Sequence, residues 1–180
     1  MKKTIVHKGF YTFEIHETPS GKREVLRTSN VVDVLIYEPE KRRILLVRQP
    51  RLSMITEDNP EGMITEVVAG RLIDGLGVKA QIVKEIFEEV GVKIFEDDVE
   101  LLNNGRPVAV SAGAMDEMAY LAYVEIKAQD MEQEERIFGV SEEGEKITRV
   151  FVDIDDLENY ICEDARTFAL IQWFLRRIKK

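Results

Sequence analysis

Glu66-Val67-Val68-Ala69-Gly70, a turn holding Gly75 and Gly77, and then Lys84-Glu85-Ile86-Phe87-Glu88-Glu89-Val90-Gly91 is the stretch whose reading decides the fold. Met63 to Val68 is an apolar run of strand length that stops at Ala69-Gly70. Beyond the turn, Ile82, Val83, Ile86, Phe87 and Val90 recur at helical spacing, which predicts a helix over 79–90 capped by Gly91. Glu85, Glu88 and Glu89 stand at i, i+3 and i+4, so they share one flank while Ile82, Ile86 and Val90 face inward. Like charges so placed cost roughly 0.2–0.5 kcal/mol per pair in an isolated helix. The macrodipole also disfavours them near the C-terminal end. Alone, such a cluster is most simply a solvated acidic face. Behind a strand and a tight glycine loop, the same carboxylates suit a hard cation such as Mg²⁺ or Mn²⁺, which binds phosphate oxygens in turn.

Working outward, residues 4–16 and 23–28 read as short strands around a Pro19-Ser20-Gly21 turn. Val31 to Ile36 is a buried strand, and Ile44 to Val47 is its hairpin partner across Pro39-Glu40-Lys41-Arg42. Further strands are expected near 99–102, 108–110, 118–126 and 147–154, with an acidic loop or short helix over 127–146. Asp155-Asp156 opens a short helix, and Arg166 to Ile178 forms a closing one with Phe168, Leu170, Ile171, Phe174, Leu175 and Ile178 as its apolar residues. Many strands with few helices imply a layered α/β or α+β arrangement. No repeat, low-complexity tract or linker divides the 180 residues, so one domain is expected over 1–180.

Lys plus Arg number 25 against 34 Asp plus Glu, a net charge of -9. That balance argues against nucleic acid or an anionic membrane as partner, since both reward clustered cations. An anionic substrate stays open, because a bound divalent metal reverses the local field. The single cysteine, Cys162, excludes an intramolecular disulfide and a cysteine zinc cage. With no apolar run near the roughly 20 residues of a membrane span and no signal peptide, a cytoplasmic setting is expected.

The pattern from Gly70 to Val92 resembles the Nudix box: Gly, five residues, Glu, seven residues, then Arg-Glu-apolar-any-Glu-Glu-any-Gly-apolar. The spacing is intact and two positions depart: Leu76 stands for the first Glu and Lys84 for the Arg. Lys keeps the charge but lacks the bidentate fork of Arg. Asp74, two residues before Leu76, is the nearest carboxylate that could stand in for the lost one. The resemblance extends to the ADP-ribose and nucleoside-diphosphate-sugar pyrophosphatase branch. Its carriers are Val47-Arg48-Gln49-Pro50-Arg51, the Glu66-to-Gly70 entry, Ser111-Ala112-Gly113 leading to Glu117 (Ala112 replacing a Pro), Glu142-Glu143-Gly144-Glu145-Lys146-Ile147, and the helix of Ala169 to Leu175.

The resemblance implies an α/β (α+β) Nudix sandwich, a mixed sheet between helices, with an N-terminal β-segment over 1–29 and the Nudix core over 30–180. It implies metal-dependent hydrolysis of ADP-ribose or a related nucleoside diphosphate sugar to a nucleoside monophosphate and a sugar phosphate. Mg²⁺ or Mn²⁺ would be held by Glu85, Glu89, Glu88 and the carbonyl of Ala69, with Glu88 secondary and paired to Lys84. The general base would come from the acidic loop, Glu143 first and Glu145 next. Arg51, Arg27 and Glu117 would meet substrate or metal. The N-terminal segment, rich in Ile5, Val6, Phe10, Tyr11, Phe13 and Ile15, would build a homodimer, the other possibility being a hairpin on its own sheet. Leu76 and Lys84 keep open a degenerate, non-catalytic Nudix domain that binds a nucleotide or protein partner, and an enzyme of other diphosphates such as dinucleotides. His7, His16, Cys162 and Trp173 read as structural.

Overall fold

The computed structural model describes residues 2–131, 137–139 and 146–179. The core is an eight-stranded mixed sheet. β4 (Val31–Glu38) lies at its centre, parallel to β10 (Met118–Glu125) and antiparallel to β5 (Arg43–Pro50). β11 (Thr148–Asp153) extends the sheet beyond β5, and β8 (Glu100–Leu101) and β9 (Val108–Ala109) pair with β10. Side chains alternate across β4. Val32, Val34 and Ile36 pack with Ile82, Ile86 and Val90 of α1 (Val78–Val90), while Leu35 packs on the other face with Leu170, Ile171 and Phe174 of α2 (Ala165–Ile178). This is the helix–sheet–helix sandwich expected from the sequence.

β4 and β5 stay paired only from Ile36 to Glu38 against Arg43 to Leu45, and then part like a fork. Residues 63–71 fill the gap. β6 (Met63–Glu66) pairs with β5, the chain crosses over at Val67, and β7 (Val68–Arg71) pairs with β4. α1 is placed below this crossover by its fully buried Ile82, Ile86 and Val90, and it ends at Gly91, whose φ of 59° is the left-handed cap position. α2 starts at Asp164, whose carboxylate accepts the Thr167 N–H at 2.7 Å. Leu170, Ile171 and Phe174 are buried, each worth roughly 1.5–3 kcal/mol, against about 1 kcal/mol for one neutral hydrogen bond. Apolar burial therefore holds α2 on the sheet, and the polar contacts of its first turn set its register.

The N-terminal segment differs in detail from the expectation. Residues 4–16 are not one strand: β1 (Lys2–Lys8) and β2 (Thr12–Thr18) are separated by a turn at 9–11, where Gly9 donates to the Tyr11 carbonyl. With β3 (Gly21–Arg27) they form a separate three-stranded sheet rather than a hairpin added to the main one. It joins the core through hydrogen bonds between Leu26 and residues 114 and 116, and through Arg71, whose guanidinium lies 3.9 Å from the Phe10 ring centre. Phe10 is 71% exposed, and all of β1 is exposed. The strands near 99–102 and 108–110 shorten to two residues each, and Asp155-Asp156 sits in a 3₁₀ turn over Ile154–Asn159.

The N-terminal sheet is organised on Glu14, which is buried and accepts from Lys3 Nζ at 2.9 Å, His16 Nε2 at 2.8 Å and Arg27 Nε at 2.9 Å. These contacts, the Lys3 ammonium foremost, lower its carboxyl from 4.5 to about 2. A depressed carboxyl stabilises fully above its ordinary value, and that stabilisation is lost as pH falls through the folded value. Acidification from pH 5 to 2 is therefore expected to release amide protection in β1–β3. Glu14→Gln should release the same amides at pH 7 while β4, β5 and β10 keep theirs. Hydrogen exchange checks this, and unchanged protection in the variant would contradict it.

Candidate active site

Ala69 and Gly70, the two middle residues of β7, face the flank of α1 that carries the three glutamates. A β-carbon at Gly70 would lie 2.0 Å from Glu85 Cδ and 2.1 Å from its Oε1, so only glycine lets that carboxylate lie against the strand. Gln81, fully buried, donates through Nε2 to Glu85 Oε1 at 2.5 Å and accepts the Ile73 N–H at 3.2 Å. It ties the carboxylate to the turn that follows Gly70. Glu89, 3% exposed, accepts the Ala69 N–H through Oε2 at 3.2 Å. In a strand, a residue's N–H and C=O leave by the same edge. The Ala69 carbonyl thus emerges beside Glu89, on the edge away from β4.

Glu88 is partly exposed and accepts from Lys84 Nζ at 2.5 Å, the pairing expected for it. Leu76 lies in the exposed turn after Ile73 and Asp74 is exposed in the same turn, so the departure at Leu76 leaves the packing of α1 untouched. Among the described residues, no three His, Cys, Asp or Glu side chains converge into a cage of their own. Glu85, Glu89 and the Ala69 carbonyl offer only oxygen atoms, and such donors would fit a hard divalent cation.

Arg51 follows β5 and reaches Glu66 Oε1 through Nε at 2.8 Å and Nη2 at 2.5 Å, and Gln49 Nε2 adds a third bond at 2.9 Å. Glu66 is buried, while the Arg51 side chain is 40% exposed. A buried carboxylate thus holds a cation in place at the fork beside the strand that leads to Ala69. Arg27 and Glu117 stand elsewhere. Arg27 bonds Glu14 and Asp116 in the N-terminal sheet. Glu117 lies 3.8 Å from Arg166 Nη1 in a cluster on the α2 face of the sheet with Asp33 and Asp164. Asp33 there is fully buried, and burial pushes its carboxyl up to about 7 against the opposing pull of Arg166.

Glu142, Glu143 and Glu145 lie outside the described residues. The segments on either side of them are held at the end of α1. Phe138 and Ile147 exchange backbone bonds of 2.8 and 3.1 Å, and the Gly139 N–H donates to the Glu88 carbonyl at 3.1 Å. Arg149 Nε donates to the Val90 carbonyl at 2.9 Å, with its guanidinium 4.2 Å from the Phe138 ring centre.

Gln81, Gln49, Thr167 and Arg166 were not singled out from the sequence. Gln81 alone carried a local signal, a polar residue on the apolar stripe four positions before Glu85. Gly70→Ala is expected to displace Glu85 with little loss of thermal stability and to lower kcat by on the order of 10²-fold. Steady-state kinetics with a melting curve checks it, and wild-type turnover would contradict the placement of Glu85.

The NUDIX domain family model matches residues 27–174. The chain is 32% identical over 158 residues to the GDP-mannose pyrophosphatase of Cronobacter sakazakii, covering 87% of this chain and 78% of that one. It is 27% identical over 154 residues to the GDP-mannose pyrophosphatase of an Enterobacter species, covering 84% and 76%. Against the GDP-mannose pyrophosphatase of Klebsiella pneumoniae it is 40% identical over 75 residues, or 42% of this chain and 37% of that one. The family match spans the fork, the box helix and α2, and the box carboxylates meet the strand that precedes them: the chain belongs to the Nudix family.

Proposed function

We propose that this protein is a pyrophosphatase that hydrolyses the diphosphate linkage of a nucleoside diphosphate sugar, using Mg²⁺ or Mn²⁺. The observation that carries the reading is Glu85 lying against Gly70 with Glu89 on the Ala69 N–H, two carboxylates one helical turn apart meeting one short strand. The relatives' names make GDP-mannose the first substrate to test, with ADP-ribose beside it.

Glu85, Glu89 and the Ala69 carbonyl would hold the cation, with Glu88 behind them. When bound, a divalent cation neutralises the charge on the two phosphoryl groups that would otherwise repel a nucleophile. Arg51, oriented by Glu66, meets the anionic diphosphate with a guanidinium already fixed in direction. Gln81 keeps Glu85 aimed at β7. Glu143, or Glu145 in its place, would accept a proton from the attacking water at its carboxylate oxygen. Water attack on one phosphorus breaks the P–O bond of the bridge and yields a nucleoside monophosphate and a sugar phosphate. Arg27 and Glu117 act through their neighbours in this single chain, which leaves their substrate roles to a complete assembly.

The N-terminal sheet supports a homodimer as part of the proposal. Ile5, Val6 and Phe10 are each more than half exposed, and β1 is the outer strand of its sheet among the described residues. A cytoplasmic setting agrees with a single half-buried cysteine. The described residues contain no helix long and apolar enough to cross a membrane. Leu76 and Lys84 favour the second reading, a domain that binds nucleotides or a partner without hydrolysis.

Assays of GDP-mannose, ADP-ribose and dinucleotides with Mg²⁺, Mn²⁺ and chelator decide among these. Metal-dependent release of GMP and mannose 1-phosphate is expected, and Glu85→Gln and Glu89→Gln should each lower kcat by on the order of 10²-fold or more. Nucleotide binding with no hydrolysis at any metal concentration selects the binding domain. Light scattering should give a dimer, and a fully active strict monomer rules it out.

A further inference from the structure

We infer that the first turn of α2 is a positioning element of the active site: Thr167, with Arg166 beside it, fixes the crossover at Val67 and thereby aims the Ala69 main chain at Glu89. The inference rests on the proposed metal site and adds residues on the opposite face of the sheet from α1.

At Val67 the chain leaves β5 and has not yet paired with β4, so this buried residue needs a partner for its N–H from outside the sheet. Thr167 Oγ1 accepts that N–H at 2.9 Å and donates its own proton to Asp164 Oδ2 at 2.8 Å. Thr167 is fully buried, and the same Asp164 oxygen accepts its N–H at 2.7 Å. The hydroxyl is thus a relay between the helix cap and the crossover, with both its bonds fixed in direction. Two residues further on, Ala69 lies opposite Asp33 in the β4–β7 ladder. Arg166 Nη1 stands 3.3 Å from Asp33 Oδ1, and Nε stands 3.6 Å from Asp164 Oδ1. One helical turn therefore touches both chains, through a hydrogen bond at Val67, the residue just before β7, and through ion-pair contact with Asp33 on β4. A sliding or rolling of β7 at this point would move the Ala69 N–H off Glu89 and the Gly70 surface off Glu85. Groups bonded directly to metal ligands commonly change metal affinity by roughly 10–100-fold when removed, and Thr167 acts two residues along the chain from Ala69, so the low end of that range applies.

Thr167→Val keeps the shape and removes the acceptor, whereas Thr167→Ser keeps the acceptor. Mn²⁺ binding is read by the loss of the free-ion EPR signal, alongside kcat, KM and thermal melting. Thr167→Val is expected to weaken Mn²⁺ binding by on the order of 10-fold and to lower kcat more than it raises KM, with Thr167→Ser close to wild type. Should Thr167→Val fail to fold, Arg166→Met, with Arg166→Lys as its conservative partner, carries the same expectation. Leu170→Ala, which loosens α2 through the core alone, should lose stability and keep Mn²⁺ affinity. Wild-type Mn²⁺ affinity in folded Thr167→Val, equal loss in Thr167→Ser, or equal loss in Leu170→Ala overturns the inference. Mn²⁺ binding that is absent from wild type or undiminished in Glu85→Gln overturns the proposed metal site itself, and this inference with it.

Discussion

Glu85 lies against Gly70 with no space for a β-carbon between them, and the arrangement of the site follows from that approach. A carboxylate can be brought so close to a main chain only if the strand lacks a side chain on that face and the helix cannot shift. The first condition is met by glycine, the second by Ile82, Ile86 and Val90, all fully buried under β4 and β7. Gln81 removes the remaining freedom of the carboxylate, and Glu89 is held by the neighbouring amide. Two anions are thereby kept near one another at the end of a helix whose dipole opposes them, an arrangement that makes chemical sense when a cation joins them.

The charges around this centre are organised in pairs. Lys84 is drawn to Glu88, one turn along the same helix, and Arg51 is drawn to Glu66 at the fork. Each of these cations is directed by a nearby carboxylate. Replacing the Arg of the family box by Lys84 keeps a charge at that position with one point of contact in place of a planar fork. Leu76 lies in an exposed turn, so its effect bears on charge and not on packing.

Much of this was legible in sequence because it is local. The period of Ile82, Ile86 and Val90 gives the helix, Gly91 its end, and Glu85 with Glu89 their shared flank. The N-terminal segment was harder, since the Gly9-to-Tyr11 turn carries neither Pro nor Asn. The pairing of Glu117 with Arg166, and of Val67 with Thr167, joins residues 49 and 100 positions apart, which no spacing rule reaches. Nor does a sequence pattern show that β4 and β5 part, which leaves the Val67 amide without a partner inside the sheet and gives it to Thr167. The base assigned to Glu143 or Glu145 falls outside the described residues, although Phe138, Gly139 and Ile147 fasten the flanking chain to the end of α1.

Crystals of the protein soaked in Mn²⁺, with anomalous diffraction recorded at the manganese edge, test the central claim most directly. The account predicts an anomalous peak bonded to the Ala69 carbonyl and to carboxylate oxygens of Glu85 and Glu89. A hydrolytically active protein whose manganese binds elsewhere, with no peak between β7 and α1, would contradict it.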